Sequence, residues 1–355
     1  MNNRNTDRDQ VDIEEIDIEE IDIDRIQTPQ GRKSQGHKEK GRREKVHKEN
    51  IPLIHLIIWG IAVVMIIIAV AVIIKWNKGT KSDYDPDNLM DGFDVETNDY
   101  IQPLSSEQLA GKVDDGVTTI LTLGNSPFAD NGDDNNLAAA LGATMNATVI
   151  NGGLKDSYIS QRNDSVSEDY RYDGMSLYQV AKALTTGEFA DLKRYSKATS
   201  EEAGAVAERL SAVDMTSVDM IVIMYDLEEY IDHRPITNEG DPDDITTVTG
   251  ALNQALGMIQ DKYPYIRIVV LSTPASGKTI DDYYVDGDTV DLGYGNLTDY
   301  MGMEIITCVN RGVSFVDIYY GAINIDDRDK YLYDDYHIND EGAKRIAARV
   351  SELIR

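Results

Sequence analysis

Asp334 and His337 stand three residues apart in the run Tyr333-Asp334-Asp335-Tyr336-His337, just before a helix-like tail from Glu341 to Ile354. At that spacing the carboxylate can orient the imidazole and stabilise its charged form, as a general base requires. The chain holds five histidines, and only His233 and His337 follow residue 75. Serine-type chemistry in that part must therefore use one of these two rings or do without an imidazole. His233, in Asp232-His233-Arg234-Pro235, reads as a surface-loop residue. The matching nucleophile candidate is Ser126, in Leu123-Gly124-Asn125-Ser126-Pro127. A serine in a strand-to-helix turn either displays a reactive hydroxyl or caps the helix, and its own context leaves both open.

These residues need a scaffold that brings them to one edge. Short apolar, β-branched runs occur at Val117–Leu123, Ala147–Ile150, Met220–Met224, Ile266–Leu271 and Val313–Ile318. Helix-like stretches lie between them, around Asn135–Met145, Glu201–Val213, Thr246–Lys262, Thr298–Asn310 and Glu341–Ile354. Near-continuous apolar strands alternating with helices predict an α/β domain over 117–355: a five-stranded, mostly parallel sheet covered on both faces. Sites in such folds lie at the carboxyl ends of the strands, where both Ser126 and His337 map.

Here the chain resembles the SGNH (GDSL-type) hydrolase family. The Gly-Asp-Ser motif of that family corresponds to Gly124-Asn125-Ser126, and its Asp-x-x-His motif to Asp334-Asp335-Tyr336-His337. The segment Val248–Pro274, with Lys262-Tyr263-Pro264 before a strand, is also similar. The resemblance implies a three-layer α/β/α, flavodoxin-like domain and an esterase or deacetylase. In it Ser126 attacks an acyl ester, His337 takes the proton and Asp334 holds His337; O-acetylated surface glycans are one substrate class.

The middle motifs depart from the family. The position of the oxyanion-facing glycine, five residues after Asn151, is Asp156, and Glu228 stands where a donor asparagine belongs. An ionised glutamate offers no donor and adds like charge where negative charge develops. Only a protonated or withdrawn Glu228 suits the usual mechanism. A catalytically weak binding or scaffold module is therefore the alternative expectation. Asp156, Glu228 and Glu229 gathered as a cation site is a more distant one.

The N-terminal third reads differently. Residues 11–26 form a five-residue acidic-hydrophobic repeat, and 1–50 predict a disordered cytoplasmic tail with a cytosolic partner. Residues 51–75 form an apolar stretch of a length that predicts one transmembrane helix, a signal anchor. Residues 31–50 hold eight Lys/Arg against three Glu, which predicts a single-pass cell-membrane protein with its C-terminal domain outside, and an exported domain without disulfides suits a bacterial surface. Residues 76–116 read as a linker. The net charge of −29 disfavours nucleic acid, and the single Cys308 excludes an internal disulfide. No phosphate loop, nucleotide fingerprint or metal-spaced His/Cys set stands in the sequence, so neither cofactor nor metal is expected. The Asp-rich stretches at 130–134, 241–244 and 281–291 read as solvated loops rather than calcium loops.

Overall fold

Five parallel strands form the central sheet. They are β1 (Thr119–Gly124), β2 (Thr148–Gly153), β3 (Met220–Met224), β4 (Arg267–Leu271) and a last strand, Ser314–Val316. Between β4 and that last strand, β5 (Gly277–Ile280) and β6 (Tyr283–Asp286) form a separate antiparallel hairpin, which makes Ser314–Val316 β7. The sheet order is β2-β1-β3-β4-β7. This is a computed structural model, and it describes residues 97–112, 114–280 and 282–354.

Alternation along each strand divides the core into two layers. Leu121, Leu123, Ile221, Ile223, Ile268, Val270 and Phe315 face one side. There they meet α3 (Leu177–Thr186), α4 (Glu201–Ser211), α6 (Val248–Lys262) and α7 (Leu297–Arg311). Ile120, Met220, Val222, Met224, Val269, Leu271 and Val316 face the other side. Their partners are α2 (Leu137–Met145) and α8 (Asp340–Ile354). Two short helices at the sheet edge, α1 (Ser126–Ala129) and α5 (Glu228–Ile231), follow β1 and β3 directly. The result is the expected α/β/α sandwich around a five-stranded parallel sheet.

Burial on both faces explains the composition of the strands. With no polar face to present, β3 and β4 read as near-continuous apolar runs, while the half-exposed edge strand β2 keeps Thr148 and Asn151. The outer edge of β7 is not left open. Tyr100 pairs with Phe315 through two backbone hydrogen bonds, of 2.9 and 2.7 Å. Asp99 accepts from the backbone N–H of Asp317 at 2.9 Å, fixing the same segment a second time.

The membrane expectation is corrected. Among the described residues no helix is long and apolar enough to cross a membrane. The longest, α6, α7 and α8, have 15 residues each. At about 1.5 Å per residue each falls short of a hydrocarbon core of about 30 Å. Residues 51–75, to which the span was assigned, lie outside the described residues, as do the repeat tail and its expected partner. Membrane anchoring, single-pass topology and an extracellular domain have no support among the described residues.

Candidate active site

Gly124 ends β1 and sets the turn that presents Ser126. Its φ is +155°, and a Cβ there would lie 1.8 Å from the Met224 carbonyl oxygen and 3.0 Å from Phe128 Cδ2. Only glycine lets β1 approach the end of β3 so closely. Asn125 then leads into α1, where Pro127 near the helix start fixes φ at no hydrogen-bonding cost. Phe128 is fully buried and anchors the turn. Ser126 is 4% exposed, and its Oγ has no hydrogen-bond partner.

Asn125 ties the ends of β1 and β3 together. Its Nδ2 donates to Asp226 Oδ1 at 2.8 Å and to the Ser157 carbonyl at 3.3 Å, and reaches Glu228 Oε2 at 3.4 Å. Its Oδ1 accepts from the Asp226 N–H at 3.0 Å. Asp226 Oδ1 also accepts from the Glu228 N–H at 3.1 Å, which starts α5. Asp226 is 6% exposed, and its Oδ2 has no partner. Burial raises its carboxyl above the ordinary carboxylate range, against the lowering effects of Asn125, the adjacent Ser126 hydroxyl, the Glu228 N–H and His337. Burial, followed by the charges of Asp226, Asp156 and Asp232, pushes Glu228 up to about 9. Glu228 is thus neutral at pH 7 and keeps a proton that it can donate.

The second half of the site comes from the chain before α8. Asp334 Oδ1 accepts from the N–H groups of Tyr336 (3.0 Å) and His337 (2.8 Å), an Asx-type turn that locks the loop. Its Oδ2 meets His337 Nδ1 at 2.7 Å. Burial works to raise the Asp334 carboxyl, but these hydrogen bonds outweigh it and hold the group below its ordinary value. The imidazole packs against two tyrosines, with Tyr333 stacked at 5.4 Å and Tyr336 tilted at 4.0 Å between ring centroids. Tyr333 is itself held by Asp130 Oδ2 at 2.9 Å, and Asp130 by Lys155 at 2.9 Å.

Strand order brings the two halves together. A ring nitrogen of His337 and one oxygen each from Asp226 and Glu228 lie within 4.8 Å of one another. Ser126 borders this group through Asp226, but its hydroxyl makes no hydrogen bond to the ring. Asp156 sits in the β2–α3 connection with φ +57°, the left-handed conformation in which glycine is least strained. Among the described residues, no hydrogen bond uses the backbone N–H of Ser126 or Asp156. A groove of about 620 Å³ opens beside Asp156, lined in part by Asp130, Lys155, Thr199 and Arg209.

Two sequence expectations fare differently. Glu229 does not join Asp156 and Glu228: it turns inward, accepting from the Ser160 N–H and Oγ, both at 2.8 Å. His233 is exposed, with Nδ1 on the Leu292 carbonyl. Sequence reasoning passed over Asp226, and it took Asn125 only as a motif letter. Asn125 standing in place of the aspartate of Gly-Asp-Ser was the one available signal. Tyr333 and Tyr336 were visible in the same run as His337.

No family model matches the chain, and no curated protein matches it. Among solved structures it is similar to a protein from Lactobacillus plantarum at 19% identity, with 67% of this chain and 96% of that one covered and a TM-score of 0.46. It is also similar to the M. smegmatis aryl esterase at 15% identity, 67% and 99% coverage and a TM-score of 0.42. A third is a carbohydrate acetylesterase from Sinorhizobium meliloti, at 14% identity, 66% and 97% coverage and a TM-score of 0.41.

Proposed function

We propose that the chain is a serine hydrolase of carboxylic esters, with Ser126 as nucleophile, His337 as general base and Asp334 as its orienting carboxylate. One observation carries the reading: the Asp334–His337 pair at 2.7 Å stands at the strand edge that also holds a buried serine with an unbonded hydroxyl. Ser126 Oγ attacks the ester carbonyl carbon as His337 takes its proton. The proton passes to the leaving alcohol, which leaves an acyl-serine, and water activated by His337 releases the acid. An acyl transferase would differ only in replacing that water by an acceptor hydroxyl.

Charge developing on the carbonyl oxygen needs donors. The free N–H groups of Ser126 and Asp156 are two, and the protonated Glu228 carboxyl is a third. This makes the acidic replacement compatible with catalysis. Small acyl esters are the substrate class, and O-acetyl groups on glycans are its finer form, since the polar groove beside Asp156 offers partners for sugar hydroxyls. The test is hydrolysis of aryl acetates by the full chain. The account expects turnover lost in Ser126→Ala; equal turnover by that variant sinks it.

The clustering of Asp226 and Glu228 at the site favours a second reading, a binding module that retains the hydrolase scaffold. It expects no turnover by the unaltered chain and ligand binding indifferent to Ser126→Ala.

A further inference from the structure

Asp226, Glu228 and His337 offer two carboxylate oxygens and one ring nitrogen within 4.8 Å of one another. Around an ion with bonds of about 2.0–2.2 Å, tetrahedral donors sit about 3.4 Å apart, so a contraction of at most about 1.5 Å closes this set on a metal. The groups behind the donors are those a metal centre needs. His337 Nδ1 is held by Asp334 at 2.7 Å, which orients the ring and leaves Nε2 as its free donor. Asn125 Nδ2 steadies both carboxylates, at 2.8 Å on Asp226 and 3.4 Å on Glu228.

A second, independent feature points to a ligand. Asp226 Oδ2 is a buried oxygen without a well-formed hydrogen bond, on a residue 6% exposed, and only the adjacent Ser126 hydroxyl acts on that carboxyl from its own side. Buried carboxylate oxygens are normally satisfied, and one left without a well-formed bond, facing Glu228 and His337, marks room for a ligand. A dication would displace the Glu228 proton to solvent and bind both carboxylates. An imidazole among the ligands favours a first-row transition metal over calcium or magnesium, which take oxygen ligands.

We propose that Asp226, Glu228 and His337 bind a divalent transition-metal ion, with zinc as the probe, and that its occupation silences Ser126. The silencing half rests on the reading of His337 as the base, because a ring nitrogen coordinated to metal cannot accept a proton.

The test uses the full chain, stripped with chelator and titrated with zinc in competition with a chromophoric chelator. Glu228→Gln and His337→Ala should each weaken zinc binding by more than about a hundredfold, and Asp334→Asn by about ten- to a hundredfold. Absence of zinc binding, or affinity kept in both ligand variants, overturns the site, since His37, His47, His55 and His233 supply imidazoles elsewhere. A second arm follows fluorophosphonate labelling of Ser126 with and without zinc. Saturating zinc should abolish labelling, and an unchanged rate overturns the ligand role of His337. Zinc binding lost in both variants, with no labelling in metal-free protein, supports the metal site while removing the hydrolase reading.

Discussion

Replacing Glu228 by glutamine removes a titrating group while keeping the shape of the side chain. The Glu228 carboxyl has an ordinary value of 4.5 and is pushed up to about 9, by burial first and then by Asp226, Asp156 and Asp232. Between those two values the folded protein holds a proton that the unfolded chain has released. Stability therefore falls as pH rises through this window, by about 1.4 kcal/mol per unit for one group. The whole shift corresponds to about 6 kcal/mol. Ionisation of Glu228 and Asp226 is mutually repelled, so their protons leave in two steps that belong to the pair, and about half of the shift, roughly 3 kcal/mol, is ascribed to Glu228. In Glu228→Gln that loss disappears. Urea unfolding in chelator, from pH 5 to pH 9, should give a variant close to the unaltered protein at pH 5 and about 3 kcal/mol more stable at pH 9. A stability difference that stays flat with pH, or one that grows toward acid, refutes the assignment of a raised carboxyl at this position.

The same variant should keep ester hydrolysis at pH 7, because the amide also donates, while losing the decline above pH 9 that ionisation of Glu228 imposes. Asp334→Asn should lower kcat by about 10⁴-fold with little change in KM, as loss of the ring's orienting carboxylate does elsewhere, read from steady-state rates on an aryl acetate. Gly124→Ala forces a Cβ to 1.8 Å from the Met224 carbonyl and should cost about 3 kcal/mol or more, measured as a lowered urea midpoint. Asp156→Gly relieves a left-handed backbone and should add about 1 kcal/mol. It also removes one of the charges that raise Glu228, so the alkaline decline in rate should move to lower pH; an unmoved decline contradicts the electrostatic account.

The inner strands of the sheet were legible because burial on both faces leaves a nearly unbroken apolar signal. Met220–Met224 coincides with β3, and Ile266–Leu271 lies within one residue of β4. The β5–β6 hairpin was not foreseen, because it is built from polar residues and exposed tyrosines such as Tyr283, and part of it fell in a stretch read as acidic loop. Helix α3 was passed over although Leu177, Val180, Ala181 and Leu184 carry helical spacing. At the site, Asp334 and His337 were readable because three residues of local chain suffice to join them. The Asn125–Asp226 contact was not, since it spans 101 positions and depends on the register that sets Gly124 beside Met224. The membrane span rested on hydropathy alone, and no helix among the described residues supports it.

Fluorophosphonate labelling of the metal-free full chain tests the central claim most directly, because it reads the reactivity of one hydroxyl without a chosen substrate. The account predicts one label per chain, located at Ser126 by mass spectrometry, absent in Ser126→Ala and slowed about a thousandfold or more in His337→Ala. Failure of the unaltered protein to label, or labelling at an equal rate in His337→Ala, would contradict it.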